Sequence, residues 1–203
     1  NARRRFLQRL FISYQQAKII REKTRCGKLQ RSLLQKVLPN GIVDQLENKM
    51  SGKLTWKQLR TLAHSHDGVC VMFAEVSQFS EIAKTVKPSA LIFFLNEVFQ
   101  SFDYLCEQYS VYKIETVGEC YVAAAGLASG EAQSDNTSAD ASDIVAFGKA
   151  LIEASRKVMK PVVNRPTSMR VGVHSGPIMS GIVGTKNLRF CLFGDTMNTA
   201  ARM

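Results

Sequence analysis

The stretch Tyr112–Tyr121, YKIETVGECY, decides the fold. It reads as a strand, a tight turn and the opening of a second strand. Side chains alternate along a strand, so Tyr112, Ile114 and Thr116 point one way and Lys113, Glu115 and Val117 the other. Gly118 stands where a short hairpin needs a residue without a Cβ. Two acids, Glu115 and Glu119, lie on or beside that turn. The flanking sequence is otherwise apolar. An acid in that setting is at a sheet end, in solvent or in a site, and the stretch alone leaves all three open.

Outward from the hairpin, the chain alternates strand and helix patterns. Val69–Phe73, VCVMF, has the continuous apolar character of a fully buried strand. Pro88 opens a helix to about Tyr109, with Leu91, Leu95, Val98, Phe102 and Leu105 on one face. Ala128–Ser142 is poor in bulky apolar residues and reads as a mobile surface loop. Asp143–Met159 reads as an amphipathic helix. Met169–His174 and Ile178–Val183 read as two strands around a Ser175-Gly176-Pro177 turn, and Leu188–Phe193 as a third. Gly194-Asp195 then leads into a helix over Thr196–Met203. This order predicts an α+β domain: a mostly antiparallel sheet flanked by helices.

Upstream, residues 3–38 read as one long helix stopped by Pro39-Asn40-Gly41, and Gly41–Lys49 as a short second one. Ile12, Ile19, Cys26 and Leu33 recur every seven residues. The companion seam, Gln15, Glu22, Leu29 and Lys36, is mostly polar, so a coiled coil is only weakly encoded. Residues 50–68 look polar and turn-like. The expected organisation is a basic helical linker over 1–49, a connector over 50–68 and a folded domain over 69–203.

Composition narrows the class. The 203 residues are 45% hydrophobic and 22% charged, as in an ordinary soluble globular protein. The best apolar runs, Ala90–Leu95 and Cys120–Ala128, are too short to span a bilayer. No secretory signal is visible, and a chain that opens on Asn1 reads as a fragment. Cys26, Cys70, Cys106, Cys120 and Cys191 show no CxxC or metal spacing and read as reduced thiols. Residues 1–36 carry eleven Lys and Arg against Glu22 alone, which is the whole net charge of +10. The rest is balanced, so the domain is not a basic nucleic-acid binder. Arg3–Arg5 fits the cytoplasmic flank of a membrane segment, a solvated helix or a nucleic-acid arm.

No Ser/His/Asp set, GxxxxGK[ST] or GxGxxG motif is present. His64, His66 and His174 lack metal-ligand spacing and read as structural or solvated. What remains is a set of polar groups near strand ends: Glu75, Glu115, Glu119, Asp195, Asn198 and Arg202. Asn198 and Arg202 are four apart and share a helix face. Such a pair could hold a phosphate, or be no more than a helix cap and a surface Arg.

Three segments carry a resemblance. VCVMFAEVSQFSEI at 69–82 is similar to a strand and phosphate loop usually written F-S-D-I-x-x-F. YKIETVGECYVAAAGL at 112–127 is similar to a hairpin usually written V-E-T-I-G-D-x-Y. MRVGVHSGPIMSGIVGTKNLRFCLFGDTMNTAARM at 169–203 is similar to a long terminal signature, nearly position by position. Together they resemble the class III nucleotidyl cyclase catalytic domain, a ferredoxin-like fold, closest to its guanylyl cyclase branch.

The resemblance implies a head-to-tail dimer, homodimeric or heterodimeric, that converts GTP to cyclic GMP and pyrophosphate. Each active site takes metal carboxylates from one chain and base-reading and transition-state residues from the other. Carried onto this sequence, Glu115 and Cys191 read guanine, with Arg189 orienting them. Asn198 positions the ribose and Arg202 stabilises the transition state. Glu75, Val76 and Glu119 take the metal positions for two Mg²⁺ or Mn²⁺, and Gln78 and Phe79 the phosphate loop. Guanine's adjacent N–H donors suit the Glu115 carboxylate, whereas adenine would leave it unpaired. Adenylyl cyclases commonly place Lys and Asp or Thr at these two positions, so adenylyl cyclase activity is a further alternative.

Both metal positions depart from the family's Asp. Glu keeps hard oxygen ligands, but its extra methylene moves the carboxylate by about 1.5 Å. Misplacement of about 1 Å can cost roughly 10²-fold in rate. The implied alternative is an impaired pseudo-cyclase subunit that needs an Asp-bearing partner. The resemblance also implies further chain beyond Met203 with a triphosphate-binding Lys, an upstream sensor or membrane domain, and a location at the cytoplasmic face of a membrane.

Overall fold

The computed structural model describes residues 27, 28, 31, 32, 43, 62–127, 137–162, 164–184 and 189–203. The helices expected over 3–38 and 41–49 lie almost wholly outside these residues. Two compact units divide the chain at Ser51/Gly52. All that follows concerns the second.

Its elements are β1 (His64–Val76), α1 (Phe79–Thr85), α2 (Pro88–Gln108), β2 (Tyr112–Val117), β3 (Cys120–Ala125), α3 (Thr137–Ser155), β4 (Met169–Val183), β5 (Arg189–Phe193) and α4 (Asp195–Arg202). The strands form an antiparallel sheet in the order β2-β3-β1-β4-β5. This is the expected α+β architecture.

Strand alternation builds two layers. Cys70, Met72, Ala74 and Val76 of β1 join Tyr121, Ala123 and Ala125 of β3 on one face. α2 and α3 cover that face with Phe94, Val98 and Phe102 and with Ile144, Phe147 and Leu151. The expected α2 face also brings in Leu91, Leu95 and Leu105, packed at the margin. Phe99, Phe102 and Tyr121 stack with centroids 5.4–6.1 Å apart. The Tyr121 hydroxyl donates to Asp103 Oδ1 at 2.8 Å and lies 3.2 Å from Cys106 Sγ. The buried Tyr121 therefore ties the hairpin to α2.

The opposite face receives α4. Close approach there depends on two glycines. A Cβ on Gly172 would stand 2.6 Å from the Ala200 carbonyl oxygen, and one on Gly176 2.7 Å from Thr196 Oγ1. Thr196 and Ala200 are buried against this face, and Thr196 Oγ1 donates to the Pro177 carbonyl at 2.7 Å.

Several local expectations are corrected. β1 begins at His64, so the polar segment HSHDG is strand. His66 is half-buried with Nε2 2.8 Å from Ser180 Oγ, and burial, with nearby His64 and against Asp67, pushes its pKa down. Met169–Val183 is one strand, not two around a turn. Pro177 fits inside it because the register slips between His66 and Val69 of β1, so its missing N–H faces a bulge. The helix expected from Asp143 begins at Thr137, and Asp140 in its first turn suits the helix dipole. It ends at Ser155, and a tight turn follows. The short α1 was not foreseen, and only Ile82 of its residues is buried.

Candidate functional site

The hairpin is formed as expected, with Gly118 at φ +58° between β2 and β3. Its side-chain alternation is not. β2 pairs Lys113 with Ala123 but Glu115 with Val122, so Ile114 is bulged out. Ala123 and Val122 face opposite sides of β3, so Lys113 and Glu115 do as well. Lys113 turns to the helix layer, 2.7 Å from Asp103 Oδ1 and 5.2 Å above the Tyr121 ring. Glu115 is turned to the other face.

That turn brings three candidates together. β2 and β5 are the two edges of the sheet, yet they approach each other. Glu115 and Arg189 both act electrostatically on Cys191. Burial pushes the Cys191 thiol up, Glu115 adds to the rise and Arg189 opposes it. The thiol therefore stays protonated at neutral pH, a weak donor beside a carboxylate acceptor.

A second group forms where β1 ends. Glu75 stands between Cys120 of β3 and Arg170 of β4 in the register, a row of three across the sheet. Arg170 Nη2 donates to Glu75 Oε1 at 2.8 Å. Val76 N–H donates to the Glu119 carbonyl at 3.2 Å, which fixes the hairpin turn beside the strand end. Burial, with Glu75 and Glu119 and against a hydrogen bond to Ala74, pushes the Cys120 thiol up to about 11. A cavity of about 550 Å³ opens here, lined by Glu75, Cys120, Arg170, Gly172, Arg202 and Met203 among others.

Gln78 caps α1 in the left-handed conformation, φ 62°, and Phe79 packs on the core. Asn198 and Arg202 are both exposed on α4. Arg202 lines the cavity that holds Glu75, although the resemblance implies that these two residues act in different active sites. Arg170 was absent from the candidates named by sequence. Its place opposite Glu75 depends on the β1–β4 register, which the sequence alone does not supply.

The donors at the end of β1 suit a hard divalent cation. They are two carboxylates and backbone oxygen, and the neighbouring thiol is protonated rather than a thiolate. Among the described residues, no group of three or more His, Cys, Asp or Glu forms a cluster that could hold a metal. Any cation taken by Glu75 would compete with the Arg170 guanidinium.

Comparison with known proteins settles the family. Residues 61–203 match the model of the adenylate and guanylate cyclase catalytic domain. The chain belongs to this family. It is 33% identical over 177 residues to guanylate cyclase soluble subunit beta-2 of Rattus norvegicus, which covers 87% of the chain and 24% of that protein. It is 30% identical over 193 residues to atrial natriuretic peptide receptor 2 of Homo sapiens, which covers 92% of the chain and 17% of the receptor. The chain thus spans under a quarter of these relatives.

Among solved structures it is similar to the catalytic core of a rhodopsin-guanylyl cyclase with converted specificity in complex with ATPαS. The TM-score is 0.62 with 29% identity over 70% of the chain and 74% of that core. It is also similar to the guanylate cyclase domain of RhGC from Catenaria anguillulae in complex with GTP. That TM-score is 0.61 with 29% identity over 69% of the chain and 73% of that domain. Likeness to the adenylyl cyclase CyaB from P. aeruginosa, at 19% identity and TM-score 0.59, shows the fold alone. Among the described residues no helix is long and apolar enough to cross a membrane.

Proposed function

We propose that this cyclase-family domain is the guanylyl cyclase module of a larger signalling protein. In that role it converts GTP to cyclic GMP and pyrophosphate at a dimer interface. The observation that carries the reading is the meeting of Glu115, Arg189 and Cys191 through the Ile114 bulge and the approach of β2 to β5. The Glu115 carboxylate accepts from adjacent N–H donors of guanine, and the protonated Cys191 donates weakly to its carbonyl edge. Adenine would leave this acid unpaired.

Asn198 and Arg202, one turn apart on α4, serve as ribose-positioning and charge-stabilising groups for a partner's site. Glu75, the Val76 carbonyl and Glu119 would hold Mg²⁺ or Mn²⁺. Bound there, the ions would supply triphosphate neutralisation and activation of the ribose hydroxyl. Gln78 and Phe79 form the adjacent phosphate loop. The partner is a second cyclase domain. The basic segment 1–36 couples the dimer to an upstream sensor of light, peptide, small molecule or gas, at the cytoplasmic face of a membrane.

A second reading rests on the Glu75–Arg170 pair. A metal acid already engaged by a guanidinium, and one methylene longer than Asp, fits a subunit that depends on its partner's metal half. One assay separates the readings. The full-length chain is supplied with GTP and Mn²⁺, alone and with an Asp-bearing cyclase domain, and cyclic GMP is measured. Product from the lone chain supports the homodimer. Product only from the mixture supports the dependent subunit. No product from either defeats the guanylyl cyclase reading.

A further inference from the structure

Behind the phosphate loop lies a second cavity of about 330 Å³, lined by Gln78, Glu81, Ile82, Thr85, Lys160 and Arg165. Its unusual member is Lys160. This residue is 8% exposed, a rare position for a lysine. Its ammonium donates to Gln78 Oε1 at 3.3 Å and to Ser168 Oγ at 3.1 Å. Both partners are neutral. A lysine has three donors, and among the described residues the third has no acceptor. Buried charge is ordinarily paired. Glu81 lines the same cavity, but no ion pair joins it to Lys160.

The second cation makes the arrangement stranger. Lys160 N–H donates to the Arg165 carbonyl at 2.7 Å, and Met159 and Pro166 form an antiparallel bridge just outside them. Lys160 and Arg165 are thus a facing pair across a tight turn, and both line the cavity. Like charges directly opposite each other destabilise a strand pair; here Arg165 is exposed while Lys160 is buried. The turn that sets them there holds Val162 at φ 73° and Asn164 at φ 46°. For a β-branched residue the first is costly, and it persists only where the surroundings enforce it.

We propose that Lys160 and Arg165 form a binding site for a small oxyanion of the phosphate class. The anion sits between the two cations and accepts a hydrogen bond from the third Lys160 N–H, leaving the Gln78 contact in place. A water occupies about 30 Å³ of liquid, so the cavity has room for a hydrated tetrahedral ion. Gln78 belongs to the candidate phosphate loop, so occupancy stiffens that loop from behind. Only this consequence rests on the guanylyl cyclase reading; the site itself does not.

The test is thermal unfolding of the full chain with phosphate replacing chloride at constant ionic strength. Pyrophosphate and GTP serve as parallel probes to separate free anions from a nucleotide's phosphates. The expected result is a saturable rise in Tm with phosphate. Lys160→Met abolishes it, Arg165→Gln weakens the apparent affinity about fivefold, and Glu81→Gln strengthens it. Arg170→Gln, on β4 and lining the other cavity, leaves it unchanged. Absence of a saturable effect in the native chain overturns the proposal. So does an effect that survives Lys160→Met, or one removed by Arg170→Gln, which would put the anion in the cavity beside Glu75. If Lys160→Met fails to fold, Arg165→Glu decides: phosphate binding that survives this charge reversal also overturns the site. None of these outcomes depends on turnover of GTP.

Discussion

Glu115 and Glu75 are both partly exposed acids on strands of one sheet, and both lie beside a cysteine. Their surroundings differ. Among the described residues Glu115 makes no ion pair, and it acts on the Cys191 thiol together with Arg189. Glu75 is held by Arg170 at 2.8 Å. The first has no ion-pair partner within the chain among the described residues. The second has its partner within the chain. The same face of the same sheet thus carries one acid without an ion pair and one acid already engaged by a guanidinium, and on the proposed function the second contact must yield before a metal can be taken.

The largest expected effect tests the open end. Glu115→Lys with Cys191→Asp replaces an acceptor by a donor and a weak donor by an acceptor. The ratio of GTP to ATP turnover should fall by about 10²-fold or more, since mismatched buried polar groups discriminate strongly. Both substrates are assayed under one metal condition. A retained GTP preference would break the base-reading assignment.

The engaged end is tested next. Glu75→Asp with Glu119→Asp shortens both acids by a methylene. If misplaced ligands limit the lone chain, cyclic GMP production should rise by roughly 10²-fold. An unchanged rate would remove ligand length as the difference between the two ends.

How much of this contrast was legible in the sequence follows from what each feature depends on. The α+β class, α2 and the hairpin at Gly118 follow from local periodicity and turn chemistry, and the structure bears them out. The bulge at Ile114 does not follow, because strict alternation is the default and nothing in YKIETV marks the extra residue. Without it Glu115 would face the helices alongside Lys113. The single strand β4 was hidden by Ser175-Gly176-Pro177, a good turn sequence made compatible with a strand by a bulge on a different strand. The helix α1 is short and offers no periodic run. Arg170 and Lys160 were missed because Glu75 and Gln78, which they contact, lie 95 and 82 residues away, and only register and tertiary packing bring them together.

A smaller effect isolates the contact that separates the two acids. Arg170→Gln removes the guanidinium from Glu75 and keeps a polar side chain. The pair is exposed, so the gain is modest, and Mn²⁺ affinity measured by direct titration should rise by no more than about fivefold. Glu115→Gln, at the open end, should leave that affinity unchanged. Equal effects from both variants would erase the distinction.

The smallest effect concerns the cysteines themselves. Cys120 sits among the acids of the engaged end with its pKa raised to about 11, from an ordinary 9.0. The raised value means that the folded state keeps a proton the unfolded state gives up. The resulting stability is complete below pH 9 and is lost as pH climbs from 9 to 11. Two pKa steps correspond to about 2.7 kcal/mol, but the residue is only half-buried, so screening leaves about 1 kcal/mol. Urea midpoints across that window should fall less steeply in Cys120→Ala than in the native chain. Tyr112 and Tyr121, also raised by burial, titrate in both proteins and cancel in the difference. Cys191→Ala should change the slope less, because Arg189 opposes the rise there. Identical slopes for Cys120→Ala and the native chain would mean that burial and the acids at the end of β1 together do not hold this thiol protonated. In that case the two ends would differ in their ion pairing but not in their field.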